Sequence, residues 1–263
     1  MTAEDIFDDA VAQRLEAVYR TPEMLAQRRI TIDALSPRSG EHILDIGTGP
    51  GLLALDLADH VASTGHITGI DLSTDMLALA EQHRQHSLHP DLITFRNGDA
   101  TALPFADASF DALVSTQVFE YVDDVDGALA EANRVLRGTG RLLVLDTDWD
   151  SLVWHAHDRD RMHRIITAWT QRFTDPHLPT TLQRRLQAAG FDVEAVKVLP
   201  VLNAHFDPDT YSARHIDIIS DFVSRHGIPR DDAAAWARDL HDRARLAEYF
   251  FSLSRYVFTA YKP

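Results

Sequence analysis

At 263 residues, with 45% hydrophobic and 25% charged content, the chain has the composition of an ordinary globular domain long enough for one sizeable core. Its 25 basic residues against 40 acidic ones give a formal net charge of −15, which argues against a broad nucleic-acid or anionic-membrane footprint, since phosphate binding rests on basic patches. Cysteine is absent, which excludes a disulfide framework, a thiol nucleophile and a cysteine metal site. No apolar run approaches the roughly 18 residues of a membrane span. The start, Met1-Thr2-Ala3-Glu4-Asp5, lacks the apolar region of a secretion signal, so a cytoplasmic location is expected.

In chain order, residues 4–20 and 22–35 read as helices, with Thr21 as N-cap and Pro22 in the first turn. Strands are expected at 42–46, 66–71, 92–96, 110–115 and 140–147, alternating with helices at 51–60, 74–86 and 124–136. Ser73 or Thr74 should cap the second of these helices and Asp123 the third, with Gly138 ending the third. This alternation predicts a parallel sheet covered on both faces. Right-handed crossovers then set the ends of strands one and four side by side. Further on, helices near 158–173 and 179–189, the latter ended by Gly190, precede a strand near 192–199. Two polar helical stretches fill 207–248, and the aromatic and β-branched run Tyr249 to Tyr261 reads as a last strand. The sheet thus ends in a strand pair interrupted by a helical insertion.

The most specific local pattern is Leu44-Asp45-Ile46-Gly47-Thr48-Gly49-Pro50-Gly51, followed by a helix and then by a strand ending on Asp71. Strand, glycine turn, helix and strand with a terminal acid form a nucleoside-binding βαβ unit. The glycines let backbone approach a ligand, and the acid accepts from a ribose diol. A dinucleotide turn would need a third glycine where Leu52 stands, and Pro50 has no N–H to offer a pyrophosphate. The turn therefore suits a nucleoside ligand without phosphates, of which S-adenosylmethionine (SAM) is one, and disfavours a nicotinamide reductase.

Four motifs occur in order: the glycine turn; Gly69-Ile70-Asp71-Leu72-Ser73; Asn97-Gly98-Asp99-Ala100-Thr101-Ala102-Leu103-Pro104-Phe105; and Arg134-Val135-Leu136-Arg137-Gly138-Thr139-Gly140. Through them the chain resembles the class I SAM-dependent methyltransferases, particularly the ubiquinone/menaquinone C-methyltransferase-like (type 11) group. The resemblance covers residues 20–147 by motif and the rest by architecture. Tyr121 stands where many relatives have histidine, and Arg137-Gly138-Thr139-Gly140 replaces the usual Lys-Pro-Gly-Gly. The resemblance implies an α/β, Rossmann-like, mostly parallel sheet of seven strands with an antiparallel last strand. It also implies SAM contacts. Gly47, Gly49 and Gly51 would admit the methionine part, Asp71 would bind the ribose hydroxyls and Met76 would pack near the adenine, with Asp45, Thr48 and Leu72 as further cofactor contacts. Asp99 and the Ala100 N–H would meet the adenine edge, and Thr116 and Gln117 the sulfonium.

Methyl transfer by in-line displacement needs alignment and water exclusion, and a base only when the acceptor must lose a proton. Asp148, His155 and His157, after the fifth strand, are candidates for catalysis, and Trp149 and Trp154 could floor an acceptor pocket. Tyr19, Gln27, Arg28 and Arg29 on the N-terminal helices, and Phe119 after the fourth strand, are further candidates for contact with cofactor or acceptor. Within the insertion, His205, Tyr211, Arg214, His215 and Ile219 could line a lid. No metal site is expected, because His155-x-His157 finds no third ligand at a diagnostic spacing. The expected organisation is one SAM-dependent methyltransferase domain over 1–263. Residues 1–36 form a helical cover, 37–147 the SAM-binding core and 148–263 the acceptor side, with the helical insertion at about 203–248. The expected function is methyl transfer to an O, N or activated C nucleophile of a small organic molecule, with no nucleic-acid or membrane partner; a homodimer is left open. A non-methylating SAM enzyme of cyclase or decarboxylase type and a non-catalytic SAM-binding regulator remain the alternatives.

Overall fold

The fold is seen in a computed structural model that describes residues 16–62 and 64–263. After a helical turn at 16–19, α1 spans Pro22–Leu35. It buries Met24, Gln27, Thr31, Ile32 and Leu35, one stripe at helical spacing. There follow β1 (His42–Ile46), α2 (Leu52–Val61), β2 (His66–Asp71), α3 (Thr74–Gln85), β3 (Ile93–Asn97), β4 (Phe110–Thr116) and α4 (Val125–Val135). The second half comprises β5 (Leu136–Trp154), α5 (Arg159–Thr170), α6 (Pro179–Ala188), β6 (Asp192–Asn203), α7 (Tyr211–Arg225), α8 (Arg230–Arg245) and β7 (Phe251–Tyr261).

The seven strands form one sheet in the order β3-β2-β1-β4-β5-β7-β6. β1 pairs in parallel with both β2 and β4, and β7 lies antiparallel between β5 and β6. One face is covered by α1 and α2, whose Ile32, Leu35, Leu53 and Leu57 pack on Ile43, Val114, Leu143 and Val257. The other is covered by α4 and α6, through Leu129, Ala132, Leu182 and Leu186 on Leu44, Leu113 and Val144. A third cluster sits on the α7–α8 side. There Met24, Met76, Trp149, Trp154, Trp169, Tyr211, Trp236 and Phe251 pack together, joining α1 and the insertion into one cap.

Several local expectations need correction. The side chain that caps α4 is Asp124, which accepts from the Gly127 amide at 2.9 Å, and not Asp123. Gly138 does not end that helix, because the chain enters β5 at Leu136. Thr21 makes no capping bond, its hydroxyl donating instead to the Val18 carbonyl at 2.8 Å. Ser73 caps α3 as expected, accepting from Met76. The largest difference is β5, which does not stop at 147 but runs to Trp154. Its partner β7 is distant in sequence and long, and pairing continues to Trp154 opposite Phe251 after an irregularity between Asp148 and Val153. The expected helix 4–20 lies outside the described residues apart from 16–19.

Gly47 leaves β1 with φ of +70°, and a Cβ there would sit 2.2 Å from Val118 Cγ2. Gly47→Ala should therefore lower stability by about 1–3 kcal/mol, through left-handed strain and overpacking together. A urea melt reads this directly, and an unchanged midpoint would contradict the packing described here.

Candidate active site

β1 hands the chain to β2 on one side while β4 lies on its other side, so a crevice opens where their carboxyl ends part. The glycine turn lines it. The Thr48 amide donates to the Ile70 carbonyl at 2.8 Å and the Gly51 amide to the Thr48 carbonyl at 3.0 Å, which folds the turn over the end of β2. The Asp71 carboxylate holds it there, accepting from the Gly49 amide at 2.8 Å through Oδ2 and from the Ser73 amide at 2.9 Å through Oδ1. Burial raises the Asp71 pKa, while the Ser73, Gly49 and Leu72 amides oppose that rise.

The glycines serve different ends. A Cβ on Gly51 would strike the Phe95 ring at 2.5 Å, so this position, like Gly47, has no room for a side chain. Among the described residues, a Cβ on Gly49 would meet nothing nearer than the Tyr19 hydroxyl, at 3.9 Å. Gly49, with φ of +53°, is thus the glycine of the turn whose backbone the described residues leave uncovered. Beneath the turn, Asp45 is buried and accepts from Thr48 Oγ1 at 2.7 Å. Burial pushes its carboxyl up to about 7, with Asp71 adding to the rise and the Thr48 bond opposing it.

On the β3 side, Asp99 is exposed, with Oδ1 accepting from the Thr101 amide and hydroxyl. Ala100 is buried, Leu72 half-exposed, and Met76 buried in the cap cluster. On the β4 side, Thr116 ends the strand and Gln117 turns the backbone with φ of +58°, its amide donating to the Leu145 carbonyl at 2.6 Å. A glutamine in the left-handed region is uncommon and concentrates where structure overrides local preference. Its side chain is in weak contact with the Thr147 hydroxyl and the Gln27 amide, at 3.4 Å each.

Gln27 leads into a polar interior that motif reasoning did not reach. Its Oε1 accepts from Arg255 Nη1, which also approaches Met24 Sδ. The Arg255 guanidinium is fully buried and stacks 4.6 Å from the Tyr211 ring. Arg172 lies 4.3 Å over the Trp169 ring, with Tyr121, Phe173 and Phe222 around it. Two buried acids share this region. Glu120 accepts from Trp149 Nε1 at 3.2 Å, and the Val118, Phe119 and Glu120 amides face Asp146. Burial drives both carboxyls above the usual carboxylate range, and the charge of Glu120 pushes Asp146 further. Burial also pushes the Tyr19 phenol up to about 12, and it holds His215 down to about 3, hence neutral.

The structure does not bring the other candidates together as their sequence positions suggested. His155 and His157 are exposed. His155 faces the Glu248 carbonyl through Nδ1, and the His157 amide donates to Asp239 on α8. The extra length of β5 carries both beyond the strand ends. Asp148 lies beside His177, Nδ1 to Oδ1 at 3.2 Å. Trp149 stacks on Phe173, and Trp154 packs against Trp236 and Phe251, so both tryptophans are interior packing groups. Phe119 is buried under the sheet with Leu44 and Leu129. Arg28 ties α1 down, bonding Asp56 at 2.7 Å and the Tyr19 carbonyl at 2.8 Å. Within the insertion, Tyr211, His215 and Ile219 are buried, whereas Arg214 pairs with Asp209 and His205 lines a separate surface cavity of about 470 Å³ with Phe206 and His241. No group of three or more His, Cys, Asp or Glu able to hold a metal occurs among the described residues. Arg255 did leave a signal in the sequence, as a charged residue in register with Phe251, Leu253 and Val257 on the buried face of an alternating strand.

The profile of a family described as "methyltransferase domain" matches residues 44–144. The O-methyltransferase rstn1 of Aspergillus nomiae is 32% identical over 163 residues, 61% of this chain and 68% of that protein. The ubiquinone/menaquinone biosynthesis C-methyltransferase UbiE of Paracoccus denitrificans is 34% identical over 142 residues, 54% of this chain and 53% of that one. Among solved structures, a Haemonchus contortus phosphoethanolamine N-methyltransferase in complex with phosphomonomethylethanolamine and S-adenosylhomocysteine superposes with a TM-score of 0.65 at 18% identity, covering 100% of this chain and 61% of that one. The chain belongs to the class I SAM-dependent methyltransferases, whose cofactor is SAM. It spans about half the length of most of the curated relatives it matches.

The buried Asp45 has a testable consequence. Its folded carboxyl titrates near 7, above the ordinary value of 3.8, so the folded state binds the extra proton in the window between those values. Stability contributed by this site is therefore greatest at low pH and is lost as pH rises toward 7. Asp45→Asn should flatten that dependence, and its melting temperature should exceed that of the parent more at pH 7.5 than at pH 5. Parallel pH profiles for the two proteins would refute the assignment.

Proposed function

We propose that this protein transfers the methyl group of SAM to an oxygen, nitrogen or activated carbon of a small organic acceptor. The observation that carries the reading is the bare Gly49 face, fixed by Asp71 at the junction of β1, β2 and β4 and overhung by Tyr19. Asp71 would receive the ribose hydroxyls, with Leu72 beside it. Asp45, Gly47, Thr48, Gly49 and Gly51 would frame the methionine part. Asp99 and the Ala100 amide would meet the adenine edge with Met76 near its face, and Thr116 and Gln117 would lie toward the sulfonium. Donor amides and acceptor carboxylates, with Pro50 inside the turn, fit an adenosine bearing no phosphate better than a dinucleotide. When bound, SAM supplies a methyl group on a sulfonium whose departure leaves a neutral thioether.

The chain's own contribution is alignment and water exclusion. Residues 37–147 would bind the cofactor, with the preceding segment as cover and 148–263 as the acceptor side. α1, the 119–121 turn, α5 and α7 close over the strand ends through the cap cluster, and the acceptor would enter beneath them. The exposed positions of His155 and His157 separate them from that space, so the reading gives them no proton transfer.

Calorimetric titration with S-adenosylhomocysteine should show binding, and NADH should show none; the reverse result would overturn the reading. Asp71→Ala should weaken S-adenosylhomocysteine by roughly 1–3 kcal/mol, several-fold to about a hundredfold, through loss of bonds to a charged acceptor. Unchanged affinity would remove Asp71 from the ribose. Once an acceptor is found by product analysis, His155→Ala should leave turnover at the parent level across the pH range, and a turnover that fell with pH-dependent severity would restore it as a base.

A further inference from the structure

Resting on the methyl-transfer reading above, we infer that the acceptor carries an anionic oxo-acid group, and that the buried guanidinium of Arg255 receives it. The argument begins with what Arg255 lacks. Its side chain is 0% exposed, Nη1 bonds Gln27 Oε1 and approaches Met24 Sδ, and the Tyr211 phenol lies close enough to interact with the guanidinium. Among the described residues, Nε and Nη2 have no hydrogen-bond partner. Those two nitrogens form the side-on fork of a guanidinium, whose parallel N–H bonds match the two oxygens of a carboxylate or phosphoryl group. A guanidinium stays charged. Burying it without a counter-charge is costly, and natural interiors avoid that unless a partner arrives.

The nearby acids do not supply the partner. Glu120 is bonded to Trp149, and Asp146 makes no hydrogen bond through either oxygen that would tie it to the fork. Burial raises the pKa of both, while the charges of Arg255 and Arg172 draw Glu120 back toward its ionised form without bonding it to the fork. Arg172 adds a second positive group whose Nε is also buried and unpartnered, held by aromatic faces that attract the cation without neutralising it.

Position connects this fork to the cofactor crevice. Gln27 bridges Arg255 to Gln117, the residue that turns the chain out of β4. Tyr19 spans the same gap. Its hydroxyl overhangs the Gly49 position, and its phenol feels the charges of Asp71 on one side and of Arg172 and Arg255 on the other. An acid group seated on the fork would leave the remainder of a small acceptor between Tyr211 and the turn at Gln117, on the way to the reacting end of the crevice.

The test uses benzoate and phenyl phosphate as anionic probes and benzamide as the neutral isostere of benzoate. Each is titrated into the whole protein with and without saturating S-adenosylhomocysteine. One or both anions should bind roughly tenfold or more tightly than benzamide, as expected for a bidentate charged contact. The tighter of the two identifies the acid group. Arg255→Met, which suits an inward strand position, should erase the preference while S-adenosylhomocysteine affinity stays within about twofold of the parent; Arg255→Lys, which keeps the charge but loses the fork, should lose most of it. Equal binding of all three probes to the parent, or a preference that survives in Arg255→Met, overturns the inference. A tenfold loss of S-adenosylhomocysteine affinity in Arg255→Met also overturns it, because the fork would then hold the carboxylate of the cofactor's own tail. Failure of the parent to bind S-adenosylhomocysteine counts against the methyl-transfer reading instead, and the titrations without it still decide whether Arg255 takes an anion.

Discussion

β1 and β4 lie parallel and in register from Ile43 opposite Ala112 to Ile46 opposite Ser115, yet their chains leave in opposite directions. The functional end of the molecule depends on that pairing. Two turns emerge from adjacent strand ends, and neither can fold back over the other. The glycine turn goes toward β2 and is pinned by Asp71, while the Gln117 turn goes toward β5 and is pinned by the Leu145 carbonyl. Both turns use backbone in the left-handed region. Glycine tolerates this at little cost and glutamine does not, so the β4 turn stores strain that the sheet must hold.

The part of the chain governed by local rules was legible before the structure. Apolar runs closed by glycine or acid locate β1 to β4 within a residue or so, because their ends are set by local caps and turns. The glycine turn with Asp71 was equally readable, since its backbone demands leave few residue types. Legibility failed where pairing is long-range. The end of β5 is set by β7, about a hundred residues on, and no local pattern announces a strand of 19 residues with an irregularity inside it. That single error moved His155 and His157 from a presumed crevice to the surface. The polar interior was missed for a related reason. Gln27, Glu120, Asp146, Arg172 and Arg255 come from five separate segments, and only the cap brings them together.

α1 has two jobs, which explains its mixed stripe. Ile32 and Leu35 pack on the sheet, whereas Met24 and Gln27 turn toward the cap. Arg28 fixes the helix to α2 through Asp56. A wholly apolar stripe would bury as much surface and stabilise the helix more simply. The buried amide of Gln27 has a different value: it fixes one edge of Arg255 and links it to Gln117 at the end of β4.

The cap holds its positive charges on aromatic rings and not on carboxylates. A glutamate paired with Arg255 would compensate the buried charge better, since an ion pair with good geometry recovers more of the desolvation cost than a ring face does. It would also occupy the fork. Aromatic faces act differently. The Tyr211 and Trp169 rings attract these cations over their faces, and a ring face does not take the place of a carboxylate on the fork. Acids are close by, and Glu120 feels the charges of Arg255 and Arg172, yet burial raises its pKa and its side chain bonds Trp149 instead of the fork. Stability is thereby given up in the cap to keep two cations available at the end of a crevice. A fold gains nothing from that arrangement alone; it makes sense where an incoming ligand brings the missing negative charge.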